Sequence, residues 1–411
     1  MWHVCDAVIN VKKANQAKRN IKTGVSMNAF SIEAINYATE TRRYIHANPE
    51  LKYEEHGTAD LVAARLRGLG YDVVTGLAET GIVATLDTGR AGPTIAFRAD
   101  MDALPIIEET GLPYASKNAG KMHACGHDGH TASLLLAADG LAKMADQLSG
   151  RLKLIFQPAE EGGLGAARMI EAGALSGVDA IYGYHNRPGY PLGRVFAKSG
   201  PTMGGSSLYE ISISGKGGHA SRPDLAVDPI FVGTAVVQGL QSVISRRLSP
   251  LESGVVTVTQ FHGGNSHNII PVSASLIINT RDGSPAAYAV IDRELRLVVA
   301  QICEAHNAVA QVNQTMRIPA VVNNAEETEF VISTAIETVG KDKSGRIDTL
   351  PTMGAEDFAF YLEQIRGCFF FVGNGEDGAY LHHPLYDYRD EILPVAAGMF
   401  TAIAERRLAR R

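Results

Sequence analysis

The chain has 411 residues, a formal net charge of −6, 45% hydrophobic residues and 20% charged residues. One hydrophobic core has usually stopped growing at this length, so we expect two domains. The acidic balance argues against nucleic acid or an anionic membrane surface as the main partner. Four cysteines are too few for a disulfide framework, which favours a reducing compartment and a cytoplasmic location.

Residues 1–30 are basic and have no long apolar stretch after them, so we predict a flexible N-terminal extension rather than a signal peptide. No apolar run reaches the length of about 18 residues that a transmembrane helix needs. Beyond Ser31, a plausible N-cap, helical periodicity covers 31–46, 56–69, 134–148 and 166–172. Short strands are predicted at 73–74, 81–86, 94–98, 152–156 and 180–184. Strands that alternate with helices predict a largely parallel sheet covered on both faces.

The pattern changes near Lys198, where half-exposed antiparallel strands begin. The order strand, helix, two strands, helix, strand is typical of an α/β sandwich, with elements at 208–214, 228–248, 255–261, 275–280, 287–305 and 310–316. Helices at 326–339, 355–364 and 393–407 and a strand at 368–372 then return the chain to the first sheet. We therefore predict an α/β fold with a discontinuous catalytic domain, residues 31–199 and 316–411, and an inserted lid or dimerisation domain, residues 200–315.

Ionisable side chains follow three of the predicted strands directly. They are Asp100 and Asp102, Glu160 and Glu161, and His185. Open α/β sheets bind ligands in the crevice at the carboxyl ends of their strands. These residues are therefore the first candidates for an active site.

The segment 122–130 holds one cysteine, three histidines and an aspartate, and it precedes a helix pattern. Cys125 and His127 are candidate metal ligands, whereas the other polar residues are expected to orient the turn or cap the helix. Glu161, His185 and one of His382 and His383 could complete the site. Because the set mixes sulfur, nitrogen and carboxylate donors, it favours a catalytic centre for zinc or a neighbouring divalent metal.

The adjacent carboxylates Glu160 and Glu161 predict a division of roles. One can bind metal while the other accepts a proton from a metal-activated water, whose pKa falls to about 7. We assign the base to Glu160. Asp100 and Asp102 could bind metal, but we favour a role in fixing the orientation of a ligand histidine; turn-capping aspartates are the alternative reading.

Six motifs together resemble the M20 metallopeptidase clan, and more narrowly its amidohydrolase branch of hippurate, N-acyl-amino-acid and auxin-conjugate hydrolases. They are the segments 42–51, 122–128, 157–162, 215–220, 268–271 and 353–358, and the resemblance spans about 32–384. It supports the fold above. The chain departs from the family's pattern at Ser206-Ser207, at Asn186-Arg187 and at His267, near the mouth of the expected pocket, so the resemblance leaves the substrate preference open.

The resemblance implies two divalent metal ions per subunit, zinc or manganese, with cobalt or nickel as further options. The implied ligands are Cys125, His127, Glu161, His185 and His382, and His382 is chosen over His383 because it stands two residues before a proline. It further implies a homodimer through the lid domain, or a tetramer. In that assembly His219 reaches the active site of the partner subunit and stabilises the tetrahedral intermediate.

The resemblance also makes Asn268 and Arg281 substrate-binding residues of the lid. Arg281 would hold the free carboxylate of an N-acyl amino acid bidentately. A surface ion pair between Arg281 and Asp282 is an equally weighted alternative.

The predicted activity is hydrolysis of the amide bond of N-acyl amino acids by metal-bound hydroxide, with Glu160 as the general base. A dipeptidase or aminopeptidase of the same clan is the alternative, although the sequence gives no clear acidic pocket for a free amino group. A non-catalytic metal-binding protein, or a redox sensor that uses Cys125, is a third reading. The presence of both Glu160 and Glu161 argues against that third reading.

Overall fold

The computed structural model describes residues 30–347 and 351–410, so nearly all of the predicted N-terminal extension lies outside the described residues. The helices are α1 (Ile32–Ala47), α2 (His56–Gly68), α3 (His127–Lys143), α4 (Gly165–Glu171), α5 (Pro229–Ser242), α6 (Pro285–Ala305), α7 (Ala325–Val339), α8 (Ala359–Gln364) and α9 (Leu393–Leu408). The first six strands along the chain all belong to a first sheet. They are β1 (Asp72–Leu77), β2 (Gly81–Asp87), β3 (Thr94–Asp100), β4 (Arg151–Gln157), β5 (Ala180–Arg187) and β6 (Val195–Ala197). Along the rest of the chain follow β7 (Gly200–Met203), β8 (Gly205–Ser214), β9 (Gly218–His219), β10 (Gly254–Gly263), β11 (Ile269–Ile270), β12 (Ser273–Asp282), β13 (Val309–Ile318), β14 (Val321–Asn323), β15 (Ser344–Arg346) and β16 (Gly367–Gly373).

The first sheet has eight strands within the described residues, in the order β1-β2-β4-β3-β5-β16-β6-β15. Its centre, β4-β3-β5-β16, is parallel throughout. The pairs β1-β2, β2-β4 and β16-β6 are antiparallel, so the sheet as a whole is mixed. The α/β class is confirmed, and the parallel pairing lies where the candidate site residues do.

Helices cover both faces of this sheet, as the sequence predicts. On one face α3 packs against α1 and α9, and side chains such as Leu135, Phe97 and Phe400 share a buried apolar cluster. On the other face α4 and α8 contribute Met169 and Tyr361 to a second buried cluster. The central strands are apolar on both sides because neither side meets water.

A second sheet, β10-β12-β8-β13, is antiparallel throughout. Helices α5 and α6 pack on it and bury a separate apolar cluster that includes Ile211, Val236 and Leu295. All of these residues lie between 205 and 318, inside or close to the predicted lid domain. The boundaries of that domain stay a prediction.

Two sequence predictions need correction at the level of elements. The helix predicted over 355–364 begins only at Ala359. The Glu356 side chain accepts a hydrogen bond from the backbone N–H of Phe358, and such local bonding competes with helix formation. The site-bearing helix α3 begins at His127, well before the predicted start. No helix in the described part of the chain is both long enough and apolar enough to span a membrane.

Asn323 fixes the place where the chain re-enters the first sheet. Its amide donates to the backbone oxygens of Phe369 and Lys198 and accepts from the Phe369 N–H, at 2.8, 3.0 and 2.7 Å. The side chain is buried. We expect Asn323→Ala to lower the free energy of unfolding by about 2–4 kcal/mol, because it leaves buried backbone groups unsatisfied.

Urea denaturation followed by circular dichroism measures this effect. Asn313→Ala, at an exposed position of β13, is the matched control and should change stability by less than about 0.5 kcal/mol. Equal stabilities for the two variants would contradict the assigned role of Asn323.

Candidate metal centre and active site

The candidate residues meet at the carboxyl edge of the parallel strands. Strand β3 ends at Asp100, β4 ends at Gln157 just before Glu160, and β5 carries His185 near its end. Because β3 pairs in parallel with both β4 and β5, these ends lie side by side. The sheet therefore delivers residues that are distant in sequence to one place.

The turn before α3 requires a glycine. Gly126 has a φ of +94°, and a Cβ at this position would lie 2.4 Å from Asn186 Oδ1 and 2.6 Å from the Tyr386 hydroxyl. A side chain would meet both strain and steric overlap. The tight turn at Gly126 brings the donor atoms of Cys125 and His127 within 4.8 Å of each other.

The predicted ligand atoms form overlapping groups. Cys125, His127 and His185 form one group, and Cys125, Glu161 and His382 form another, with the donor atoms of each group within 4.8 Å of one another. Cys125 Sγ lies 3.3 Å from His185 Nε2, and His382 Nε2 lies 3.2 Å from Glu161 Oε1. The structure thus brings all five predicted ligands together.

One buried nitrogen of this set, His127 Nε2, has no hydrogen-bond partner in the described chain. Orphaned polar atoms in an interior carry a free-energy cost unless something binds them. Sulfur, imidazole and carboxylate donors suit zinc and neighbouring divalent metals, so the residues present fit a metal centre.

Neighbouring groups fix the two ligand histidines that are buried. His127 Nδ1 donates to the backbone oxygen of Asp102 at 2.9 Å, which leaves Nε2 free as a ligand atom. His185 Nδ1 donates to the Asn186 oxygen at 2.7 Å, which leaves its Nε2 facing Cys125. Burial lowers the pKa of His127, but the charges of Asp100 and Asp102 outweigh burial and raise it to about 10, so a metal ion that binds Nε2 would displace a proton from it.

Asp102 also orders the two glutamates. Its carboxylate accepts from the backbone N–H groups of Glu160 and Glu161 at 3.1 and 2.9 Å. Asp102 therefore positions the candidate ligand His127 and the loop that carries Glu160 and Glu161. Asp100 contacts His130 Nδ1 at 2.6 Å, while its nearest approach to His127 Nε2 is 3.7 Å.

His130 and Asn186 belong to this site although sequence reasoning gave neither a specific role there. His130 Nε2 lies 2.7 Å from Asn186 Oδ1, and the His130 ring stacks 5.5 Å from the His127 ring. The sequence feature that could have identified His130 is its i,i+3 spacing from His127, which places both side chains on one face of a helix. His130 links the α3 turn to the end of β5.

Below the candidate ligands lies a buried arginine. Arg98 pairs with Asp100, Glu356 and Asp357 at 2.7, 3.0 and 3.1 Å. The backbone N–H of Asp357 approaches Glu160 Oε1 at 3.4 Å. Burial, and then the charges of Glu356 and Glu161, raise the pKa of Glu160 well above its usual value. Glu160 is thus a buried carboxylate that lies among other carboxylates.

A cavity of about 510 Å³ opens onto this centre. Its walls come from both sheets, with Cys125, Glu160 and His185 on one side and Arg281 and Met316 on the other. Asp282 does not pair with Arg281 among the described residues but binds Arg317 at 2.6 Å. The guanidinium of Arg281 is therefore available to a ligand in the cavity.

The other two predicted lid residues lie elsewhere. His219 and Asn268 are exposed and are not among the described residues that line the cavity. They stand next to each other, because β9 pairs with β11 and the Ala220 N–H donates to the Asn268 oxygen. Within one chain the structure brings Arg281 to the site but not this pair.

Comparisons with known proteins agree with these observations. A sequence model described as peptidase family M20/M25/M40 matches residues 96–406. The chain is 39% identical over 365 residues to a hippurate hydrolase of Campylobacter jejuni, covering 88% of this chain and 94% of that protein. It is 39% identical over 367 residues to an N-acetyl-L-cysteine deacetylase of Bacillus subtilis, covering 89% and 87%. A crystal structure of a dinuclear metal-binding peptidase from Bacillus subtilis superposes with a TM-score of 0.80 at 34% identity, covering 92% and 99%.

A buried ion-pair network supports the turn from behind. Asp128, the residue after His127, accepts from His46 Nδ1 at 2.8 Å, and His46 Nε2 contacts Glu108 at 3.3 Å. Arg42 Nη1 lies 3.7 Å from the carboxylate of Asp128. Burial lowers the pKa of His46, but its hydrogen bonds to Asp128 and Glu108 outweigh burial and raise it to about 9.

This shift predicts a pH-dependent contribution to stability. The folded-state pKa of His46 lies above its unfolded value, so the contribution is complete below about pH 6.5 and is lost as the pH rises through about 9. A shift of this size corresponds to about 3 kcal/mol. We expect the difference in unfolding free energy between wild type and His46→Gln to shrink by about that amount over this range.

Urea unfolding at several pH values measures the difference. The exposed His262→Gln serves as the control and should follow the wild-type pH profile. If His46→Gln lowers the free energy of unfolding by the same amount at pH 6 and at pH 9.5, the charged histidine does not stabilise the fold.

Proposed function

Because the chain belongs to the peptidase family M20/M25/M40, we propose that this metal-dependent amidohydrolase cleaves the amide bond of N-acyl amino acids. The names of two relatives, hippurate hydrolase and N-acetyl-L-cysteine deacetylase, support this substrate class. The observation that carries the proposal is one cavity lined by four of the five clustered donors, a buried glutamate and an available arginine. The fifth donor, His127, lies beside Cys125 and His185.

We propose that the donors hold two divalent ions, zinc or manganese. The candidates are Cys125, His127, Glu161, His185 and His382. Their two groups share Cys125, which is consistent with two adjacent positions. Such ions, when bound, activate water and polarise a carbonyl oxygen.

Glu160 is the proposed general base. Its side chain is buried, and its carboxylate lies near that of Glu161. A carboxylate in this position can take the proton of the attacking water and return it to the departing amine. The hydrogen bond from the Asp357 N–H and the Asp102–Glu160 backbone contact hold it in place.

Arg281 is the proposed binding group for the free carboxylate of the amino acid. It reaches the cavity from β12, opposite the metal ligands, and a guanidinium binds a carboxylate bidentately. We further propose a homodimer formed through the lid, residues 200–315. The position of His219 and Asn268 outside their own cavity supports a role for both in the active site of the partner subunit.

The described cysteines, Cys125, Cys303 and Cys368, are free thiols. Free thiols persist in reducing compartments. This supports our proposal of a cytoplasmic location.

The direct test compares wild type with Glu160→Gln. We expect hydrolysis of N-acetyl and N-benzoyl amino acids by the zinc- or manganese-loaded wild type, and its loss after chelation. Glu160→Gln should lower kcat by roughly 100- to 10,000-fold, because a general base contributes a factor of this size. Elemental analysis should find the metal content of this variant unchanged, whereas Glu161→Gln should bind less metal.

Glu171→Gln, at an exposed end of α4, is the matched control and should behave as wild type. Activity that survives both chelation and Glu160→Gln would overturn the proposed mechanism. Faster hydrolysis of a dipeptide than of its N-acyl counterpart would favour the peptidase alternative instead.

A further inference from the structure

The cavity holds a second arginine on the wall opposite Arg281. Arg187 is the last residue of β5, two positions after His185, and it lines the same cavity. Its guanidinium carbon lies 5.5 Å from the ring centroid of Tyr380 and 5.8 Å from that of Phe371. Rings at this distance attract a cation and limit the orientations of its plane. Arg187 is therefore held in the cavity wall rather than extended into solvent.

Arg187 has no ionic partner within residues 30–347 and 351–410. Its Nε is buried and makes no hydrogen bond, and no carboxylate lies within 4.0 Å of it. Among the carboxylates of the cavity wall, Glu161 contacts His382 and Glu356 pairs with Arg98. A partly buried cation without an ionic partner raises the free energy of the unliganded protein. An anion that enters with a ligand and pairs with the cation lowers that free energy again.

We propose that Arg187 binds a second carboxylate of the substrate, so that the enzyme prefers N-acyl amino acids that carry two carboxylates. This inference rests on the proposed function. Every N-acyl amino acid brings one free carboxylate, for which Arg281 is the proposed partner. Arg187 then offers a separate guanidinium, in which two N–H groups can bind the two oxygens of a further carboxylate.

The second carboxylate can belong to either end of the substrate. A dicarboxylic acyl group, such as succinyl, would carry it on the acyl side of the scissile bond. Aspartate or glutamate would carry it on the amino-acid side. Both share the chemistry that Arg187 recognises, and matched substrates separate them.

The experiment uses two substrate pairs in which a carboxylate is replaced by the uncharged amide of nearly the same shape. N-succinyl-L-alanine is compared with N-succinamoyl-L-alanine, and N-acetyl-L-glutamate with N-acetyl-L-glutamine. We expect the metal-loaded wild type to favour the charged member of at least one pair in kcat/KM, by roughly 10- to 100-fold, as expected for hydrogen bonds to a charged group. In Arg187→Gln this ratio should fall to nearly one, while Arg67→Gln, at an exposed position of α2, keeps the wild-type ratio.

The pair that shows the effect identifies the end of the substrate that Arg187 contacts. A wild-type ratio near one for both pairs, or a ratio that Arg187→Gln leaves unchanged, overturns the inference while the proposed function stands. Failure of wild type to hydrolyse any N-acyl amino acid would instead overturn the proposed function.

Binding provides a second readout that needs no turnover. Dissociation constants for the same four compounds are measured on metal-loaded Glu160→Gln protein by calorimetry, with and without Arg187→Lys. Arg187→Lys keeps the charge but loses the planar fork, so we expect a partial loss of the preference for the charged compound. Equal affinities for charged and uncharged compounds in the Glu160→Gln background would also overturn the inference.

Discussion

The Arg98 guanidinium is the constraint on which the active-site floor depends. It is fully buried and holds the carboxylates of Asp100, Glu356 and Asp357 in one place. Burial raises the pKa of Glu356 and of Asp357, and the positive charge of Arg98 opposes that rise. Through Asp100 the same cation is tied to His130, and through the Asp357 backbone to Glu160. The charge of Arg98 therefore also helps to determine where Glu160, the proposed base, and His130 stand.

The sequence predicted Asp100, Asp102, Glu160, Glu161 and His185 as site residues because their positions follow a general rule. Parallel strands end at one edge, so polar residues placed just after three strands had to meet. The partners that support them could not be predicted in the same way. The contact between Arg98 and Glu356 joins residues 258 positions apart, and no local spacing indicates it. The separation of His219 and Asn268 from the cavity of their own chain also depends on how the second sheet is placed.

Element type was predicted well where periodicity was long and poorly where it was short. The long helices α1, α6 and α9 have several turns of apolar pattern, and their predicted ends differ from the structure by two residues at most. The three-residue strands β6 and β15 are too short to show an alternation. The mixed sheet has a simple cause at one edge, where β1 and β2 are separated by only three residues and must run antiparallel.

The place of β16 in the first sheet has a consequence for the order in which the protein can fold during synthesis. This strand lies between β5 and β6, yet it comes from residues 367–373, close to the end of the chain. Until the ribosome has released it, β5 and β6 each present an open edge, and open edges invite pairing with other chains. The second sheet uses only residues 205–318 and can close earlier. Translation would therefore complete the inserted unit first, and the catalytic centre would be assembled as one of the last events.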